Sequence, residues 1–380
     1  MEKDIRIAIV HDFLIQSGGA EQVLREIHKL YPDAPVFTLV YDKKRVPEDF
    51  LDWDIRAVGW SQRLPRIHRW YKYYIPLYPT MVEQMDLREF DLVISSSYLV
   101  AKGVLTRSET LHLCYCHTPM RQAWELYFDY KHGYTRSGFR LKRDLFKFFY
   151  PIILNYVRMW DRLAAERVDQ FACNSRTTQR RIAKFYNRDS EIIYPPVYTG
   201  DFQPVSPDKI GDYYLCLSRL VPYKKIDLAI DAFNKLDRPL YIAGDGPHLD
   251  QLMKSGGPKI KFLGRVDEET KLKLITHCRA LVFPGREDFG IVPVEAQAAG
   301  RPVIAYGAGG ATESIIDSRT GIFFDEQTVE SLSAAVLRFE SMQFDPEDAV
   351  ESAKRFDSAV FAKHMTEWIE SRWEEFVLNL

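Results

Sequence analysis

ALVFPGREDFGIVPVEAQAAGRPVIAY, residues 280–306, reads as strand, loop, helix and strand within one short passage. ALVFPG (280–285) and RPVIAY (301–306) are short, β-rich apolar runs, and a helix begins near Val292 between them. Continuous rather than alternating apolar character suits parallel strands buried on both faces. Similar runs lie at IRIAIV (5–10), DLVISSS (91–97), TLHLCYC (110–116), DQFACNS (169–175) and EIIYPP (191–196). They recur at YYLCLSR (213–219), RPLYIAG (238–244), KIKFLG (259–264) and GIFF (321–324). Helical patterns occupy 20–30, 177–186, 227–236, 268–277 and 329–340, with Asp227 and Thr328 as expected N-caps. Strand–helix alternation predicts an α/β chain of two Rossmann-like, doubly wound domains facing across a cleft. The pattern breaks once, at YPPVYTGDFQPVSPDK (194–209), which holds four prolines and reads as a linker. The expected division is a first domain over 1–196 and a second over 197–355. An aromatic amphipathic helix over 356–380 should pack back on the first.

The chain has 380 residues, 46% hydrophobic and 27% charged, an ordinary globular composition for two domains. Its net charge of −2 argues against a dedicated nucleic-acid binder. That average hides an asymmetry: 30 basic and 24 acidic residues up to 196, then 21 and 29. Five cysteines, Cys114, Cys116, Cys173, Cys216 and Cys278, lie mostly in apolar runs and read as reduced core thiols. The C-x-C at 114–116 has no second ligand pair at zinc spacing, so no metal site is expected. The N-terminal MEKDIRIAIV runs directly into a strand and does not read as a signal peptide. No run reaches the roughly 18 apolar residues that span a bilayer. A cytoplasmic location follows as an expectation.

In open α/β sheets ligands bind beyond the C-terminal strand ends, so the loops there are the candidate site. HDFLIQSGGAEQ (11–22) places Gly18 and Gly19 before a helix whose free N–H groups suit an anion. It lacks the dinucleotide glycine spacing and an acidic ribose anchor, which disfavours a nicotinamide-dependent oxidoreductase. CYCHTPMR (114–121) puts His117 at a strand end. LSRLVPYKK (217–225) offers Arg219, Lys224 and Lys225 at a helix start, a fork, a point charge and a dipole that suit a diphosphate. FLGRVDEET (262–270) sets Arg265 and Val266 where they can touch a base. In the opening passage Glu287 lies in the loop and Glu295 in the helix, with the Gly290 and Ile291 amides at its start. One carboxylate can bind sugar hydroxyls and the other a ribose diol.

These residues resemble the retaining GT-B glycosyltransferases of family 4. Glu287-x7-Glu295, Ser-Arg-Leu-x-x-x-Lys (218–224), Gly-Asp-Gly-Pro (244–247), Phe-Leu-Gly-Arg (262–265) and Gly-Gly-Ala-Glu (18–21) match that family in order, over essentially the whole chain. REDFGIVPVEAQAAGRPVIAYGAGG and HTPMR look most like bacterial O-antigen and exopolysaccharide mannosyltransferases. The resemblance implies that Arg219 and Lys224 clamp the donor diphosphate. Lys225 stands where many members have glycine, which leaves open which lysine reaches the phosphate. It implies that Glu295 binds the ribose and Glu287 faces the donor sugar. Phe289, Gly290 and Ile291 would supply backbone to the sugar and phosphate, and Arg265 with Val266 would meet the base. His117 would lie near the donor sugar, with Gly18 and Gly19 under the diphosphate. The implied activity is transfer of mannose from GDP-mannose to a lipid-linked glycan in lipopolysaccharide or other surface polysaccharide biosynthesis, with no metal and no cofactor. The first domain then serves the acceptor and the second the donor. A UDP-sugar donor, a GT-B nucleotide-sugar epimerase and a non-catalytic membrane scaffold are the alternatives.

Residues 55–82 hold Arg56, Arg63, Arg66, Arg69 and Lys72 without an acid, interleaved with Trp60, Trp70, Tyr71, Tyr73, Tyr74 and Tyr78. Residues 131–150 add Lys131, Arg136, Arg140, Lys142, Arg143 and Lys147 among phenylalanines. Basic residues with aromatics and no spanning segment suit an anionic membrane surface. The expectation is a peripheral protein on the inner face of the cytoplasmic membrane.

Overall fold

Ile7–Leu14 is a strand in which all but the first residue are buried, and it sits at the centre of a parallel sheet. The computed structural model describes residues 5–128 and 140–380; of Lys72 and residues 140–147 it describes the backbone alone. The chain divides into two compact units, Met1–Tyr194 with Ala362–Leu380, and Pro195–Phe361.

The first unit holds seven strands: β1 (Ile7–Leu14), β2 (Val36–Tyr41), β3 (Ile55–Ala57), β4 (Leu92–Ser97), β5 (Leu111–Cys116), β6 (Gln170–Cys173) and β7 (Glu191–Ile192). Their order is β3-β2-β1-β4-β5-β6-β7, and every pairing is parallel. Ile9 stands opposite Val36 on one side and Ile94 on the other, so the apolar run is covered by neighbours at both edges. β2 and β3 add to the strands expected from sequence. The run at 191–196 pairs only at Glu191–Ile192, since Pro195 and Pro196 have no N–H to give a ladder. β1 runs four residues past the expected end, so His11 and Asp12 belong to the strand and not to the loop.

The second unit holds β8 (Tyr214–Leu217), β9 (Leu240–Ala243), β10 (Ile260–Gly264), β11 (Ala280–Phe283), β12 (Val303–Tyr306) and β13 (Gly321–Phe324). Their order is β10-β9-β8-β11-β12-β13, again all parallel. This is a doubly wound sheet whose order reverses between β8 and β11. Thr328 caps the helix Val329–Glu340, accepting from the Ser331 amide at 3.2 Å. Asp227 does not cap its helix: Ile226–Leu236 starts after Lys225, and Asp227 lies in the first turn, where its charge complements the dipole.

The linker passage is tied down by backbone bonds, Val197 N to Phe356 O at 2.9 Å and Ser358 N to Val197 O at 3.0 Å. The last helix, Ser358–Leu378, buries Met365, Trp368 and Ile369, and Arg372 reaches Glu191 at 3.5 Å. All five cysteines are free thiols and buried. Burial pushes Cys114 and Cys278 up to about 12, so neither is a nucleophile at neutral pH.

Candidate functional site

The loops after β8 and β11 emerge beside each other at the switch point of the second sheet. Ser218, Lys224, Gly285 and Glu287 line one small pocket there. The Lys224 ammonium forms an ion pair with the Glu287 carboxylate. Gly285 makes this approach possible: a Cβ on it would lie 2.9 Å from Lys224 Cα. Of the two adjacent lysines, Lys224 meets Glu287. Lys225 instead takes a left-handed turn, φ +55°, between the short turn Pro222–Lys224 and the helix Ile226–Leu236. That backbone favours glycine over a residue with a side chain.

Arg219 is exposed at the end of β8, and Arg265 is exposed on the loop after β10 beside a half-buried Val266. Among the described residues no hydrogen bond or ion pair joins either arginine to Glu287 or Glu295. Phe289 is a core group, packed edge-on against Phe356 at 5.2 Å, so only its backbone can serve a ligand. Gly290, at φ +88°, is the N-cap that turns the chain into the helix Ile291–Ala298. Glycines elsewhere brace this loop. A Cβ on Gly310 would fall 2.2 Å from Phe289 Cα, and the Gly310 amide donates to the Glu287 carbonyl at 3.0 Å. In the same way a Cβ on Gly244 would fall 1.9 Å from the Ser218 carbonyl oxygen. The Gly-Asp-Gly-Pro and Gly-Ala-Gly-Gly passages therefore support the two site loops through backbone contact.

Glu295 is only 5% exposed inside its helix. Burial raises its carboxyl above the ordinary range, and Lys271 at 3.0 Å opposes that rise. Burial works to lower the Lys271 ammonium, but Glu295 and Glu268 outweigh it and the ammonium is raised. Lys271, from the helix Glu268–His277, is a site residue that sequence reasoning missed. Its signal is weak, one lysine among several in an exposed helical pattern.

In the first unit Gly18 is the N-cap of the helix Gly19–Leu30, and both glycines are exposed. His117 follows β5 and is buried; its Nε2 lies 2.8 Å from Ser96 Oγ of β4. Ser96 Oγ also lies 3.1 Å from Nδ1 of the buried His11 in β1. His11 Nε2 stands 3.8 Å from Glu21 Oε1. Next to His11, Asp12 accepts four backbone N–H groups from Tyr98 to Ala101, at 2.6 to 2.8 Å. Sequence reasoning missed His11, Asp12 and Ser96. The signal was a His-Asp pair inside an apolar run that continues through Leu14.

The basic and aromatic stretch at 55–82 is largely structural. Arg56 pairs with Asp54 at 2.8 Å and Glu89 at 3.4 Å, acids just outside that window. Trp60 donates to Gln84, and Tyr78 is buried with its hydroxyl on the Tyr71 carbonyl. Arg63, Arg66, Arg69, Trp70 and Tyr73 remain exposed, with the Arg66 guanidinium 5.0 Å from the Trp70 ring. The Lys72, Arg140 and Arg143 side chains, with Lys142 and Lys147, lie outside the described residues, as do Lys131 and Arg136 entirely. The helix Arg140–Glu166 carries exposed Phe148, Phe149, Ile152, Tyr156, Met159 and Leu163. The steps of three and four from Phe149 put these on one helix face. No helix among the described residues is long and apolar enough to cross a membrane.

Comparisons with known proteins agree with this architecture. The family model described as Glycosyltransferase Family 4 matches residues 17–200, and that described as Glycosyl transferases group 1 matches 201–356. The chain is 24% identical to the alpha-1,3/1,6-mannosyltransferase ALG2 of Dictyostelium discoideum, over 84% of this chain and 86% of that protein. It is 34% identical to a GDP-mannose-dependent alpha-(1-6)-phosphatidylinositol monomannoside mannosyltransferase of Mycolicibacterium smegmatis, over 43% of this chain and 50% of that one. Its fold is similar to that of Anabaena Alr3699/HepE, solved with UDP and glucose, at a TM-score of 0.69 and 18% identity, over 97% of this chain and 100% of that one.

Proposed function

We propose a reaction for this chain from one premise: it belongs to the family 4 glycosyltransferases and has their GT-B type of fold, two Rossmann-like units. The reaction is transfer of mannose from GDP-mannose, with retention of configuration, to a lipid-linked glycan in bacterial surface polysaccharide synthesis. The observation that carries it is the Lys224–Glu287 pair at the switch point, with the buried Glu295 eight residues on. The names of the mannosyltransferase relatives support mannose, and that of the mycobacterial relative supports GDP.

In this reading the anomeric carbon becomes oxocarbenium-like while negative charge grows on the departing diphosphate. Arg219, Lys224 and the amides opening the helix Ile291–Ala298 meet that charge, so no metal is needed. Glu287 leaves its pairing with Lys224 to hold donor-sugar hydroxyls as the phosphate takes the ammonium. Glu295 holds the ribose diol, and Arg265 and the Val266 backbone meet the base. Gly18 and Gly19 let backbone approach the diphosphate closely. His117 hydrogen-bonds the donor sugar or the acceptor hydroxyl, which attacks from the face the diphosphate leaves and passes its proton to a departing diphosphate oxygen. The exposed apolar face from Phe148 to Leu163, with Arg63, Arg66 and Arg69, supports attachment to the inner face of the cytoplasmic membrane.

Glu287→Ala and Arg219→Ala should each lower turnover of GDP-mannose at least about a hundredfold, roughly 3 kcal/mol of barrier, with unchanged circular dichroism. Near-normal turnover in either overturns the assignment. A thermal-shift panel of GDP-, UDP- and dTDP-sugars identifies the donor, since a ligand of the folded state raises the melting point. Co-sedimentation with anionic vesicles at low salt tests the membrane reading, and absence of binding refutes it.

A further inference from the structure

We propose that Asn174 and Thr178 are positioning residues for glycosyl transfer, holding the main chain of His117 so that its imidazole meets the substrate from one fixed place. His117 directly follows β5, and Asn174 directly follows β6. The two strands pair in register up to Cys116 opposite Cys173, so these residues leave the sheet side by side. Beyond that point the chain after β5 enters the His-Thr-Pro loop, and the chain after β6 turns into the helix Arg176–Tyr186. The ladder stops there, and side chains take over from it. Asn174 Nδ2 donates to the His117 carbonyl at 2.9 Å, and Thr178 Oγ1 lies 3.2 Å from the same oxygen. On the other side the His117 amide donates to the Ser97 carbonyl of β4 at 2.8 Å. Both polar groups of the His117 main chain are thus held, one from β4 and one from the residues that follow β6.

The clamp is itself fixed. Asn174 is 8% exposed, and Ser175 and Thr178 are fully buried. Asn174 Oδ1 lies 2.7 Å from Thr178 Oγ1 and 3.0 Å from Ser175 Oγ, two hydroxyls that can donate to it. Were the amide turned over, its oxygen would face the His117 carbonyl oxygen with no hydrogen between them. The hydroxyls and the carbonyl together select one orientation of the amide. Ser175 also caps the helix Arg176–Tyr186, accepting from the Thr178 amide at 3.1 Å, so the place of Thr178 is set by the helix start. A buried carbonyl that loses its donors is costly, and the main chain moves to find others. At its far end the His117 ring meets Ser96 Oγ, 2.8 Å from Nε2. A shift of the main chain therefore tilts the ring about that contact. A displacement of about 1 Å in a substrate-contacting group can cost about a hundredfold in rate. The use of the ring rests on the glycosyl-transfer reading; the clamp on its main chain does not.

The test uses the full chain carrying Asn174→Ala, Thr178→Val or both. GDP release from GDP-mannose is followed over bacterial membrane vesicles, which supply the lipid-linked acceptor. In the double variant kcat should fall at least about tenfold while KM for GDP-mannose stays within about twofold. KM is spared because Arg219, Lys224 and Glu295, the donor-binding side chains of this reading, belong to the other unit. Thr328→Ala removes a helix cap in that unit and should lower the urea midpoint without lowering kcat, so lost stability alone does not imitate the result. A second reading needs no turnover. In the ligand-free chain labelled with 13C-histidine, His117→Gln identifies the His117 Cε1–H signal. The double variant should displace that signal and leave that of His248 in place. A folded double variant with wild-type kcat overturns the proposal, and so does an unmoved His117 signal. If the double variant does not fold, the single variants decide by the same two readings. If the wild-type chain releases no GDP, the transferase reading fails, and the His117 signal decides the clamp alone.

Discussion

Lys271→Met isolates the electrostatics of the candidate nucleotide side. The substitution removes an ammonium 3.0 Å from Glu295 Oε1 and 2.7 Å from Glu268 Oε2 while keeping most of the aliphatic stem. Glu268 is exposed and is repaired by water; Glu295, at 5% exposure, is not. An uncompensated buried carboxylate costs about 3–5 kcal/mol. Lys271 retains some solvent, its side chain being 21% exposed, so the expected loss lies nearer 2–3 kcal/mol at about pH 8. The charged state can be avoided by taking up a proton. Burial already holds the Glu295 carboxyl above its ordinary value, and removal of Lys271 raises it further. A carboxyl whose folded-state pKa is raised binds its proton more tightly in the folded protein. Its favourable contribution is full below the unfolded value and is lost as pH rises through the folded one. The variant should therefore lose about 1–2 kcal/mol less at about pH 5 than at about pH 8, one pKa unit being worth about 1.4 kcal/mol. Urea denaturation of both proteins at the two pH values measures this. Adding Glu295→Gln should recover most of the loss at the higher pH. An equal loss at both pH values, or no recovery in the double variant, refutes the account.

Lys225→Gly should stabilise the chain by about 1 kcal/mol in urea denaturation, since the position holds φ +55°, and donor affinity should be unchanged if Lys224 is the phosphate lysine. Gly310→Ala should lower the melting temperature and abolish the donor-induced thermal shift, because its Cβ would fall 2.2 Å from Phe289 Cα and displace the Glu287 loop. Asp12→Asn should cost about 2–4 kcal/mol by chemical denaturation, since an amide oxygen cannot replace two carboxylate oxygens that share four backbone N–H groups.

Much of the fold is legible because the central strands are buried on both faces. Runs such as ALVF (280–283) and GIFF (321–324) have no polar alternation to confuse them. The edges are harder to read. β3 is three residues, IRA, with an exposed arginine on a rim that needs little apolar character. Aromatic interleaving also misleads at 55–82. There Trp60, Tyr71, Tyr74 and Tyr78 belong to the hydrophobic core or pack against it, and composition alone cannot separate a buried tyrosine from a surface one.

The candidate site divides along a different line. Glu287, Glu295, Arg219, Lys224 and His117 stand in loops or helices directly after strands, so their place follows from strand recognition and topology. Lys271, Ser96 and His11 owe their partners to contacts between elements far apart in sequence. Lys271 meets Glu295 across 24 residues, and His11 meets Ser96 across 85. The parallel order creates the second contact: β4 pairs beside β1, in register His11 to Ser96, only because β2 and β3 go to the other side. The same reversal of strand order makes the crevice where ligands bind in such sheets. Residues invisible to motif reading therefore collect at the switch point for the reason that the motif residues do. A buried polar residue near the end of either strand flanking a reversal, followed by a helix-opening glycine, is the pattern that would have exposed the His11–Ser96 pair.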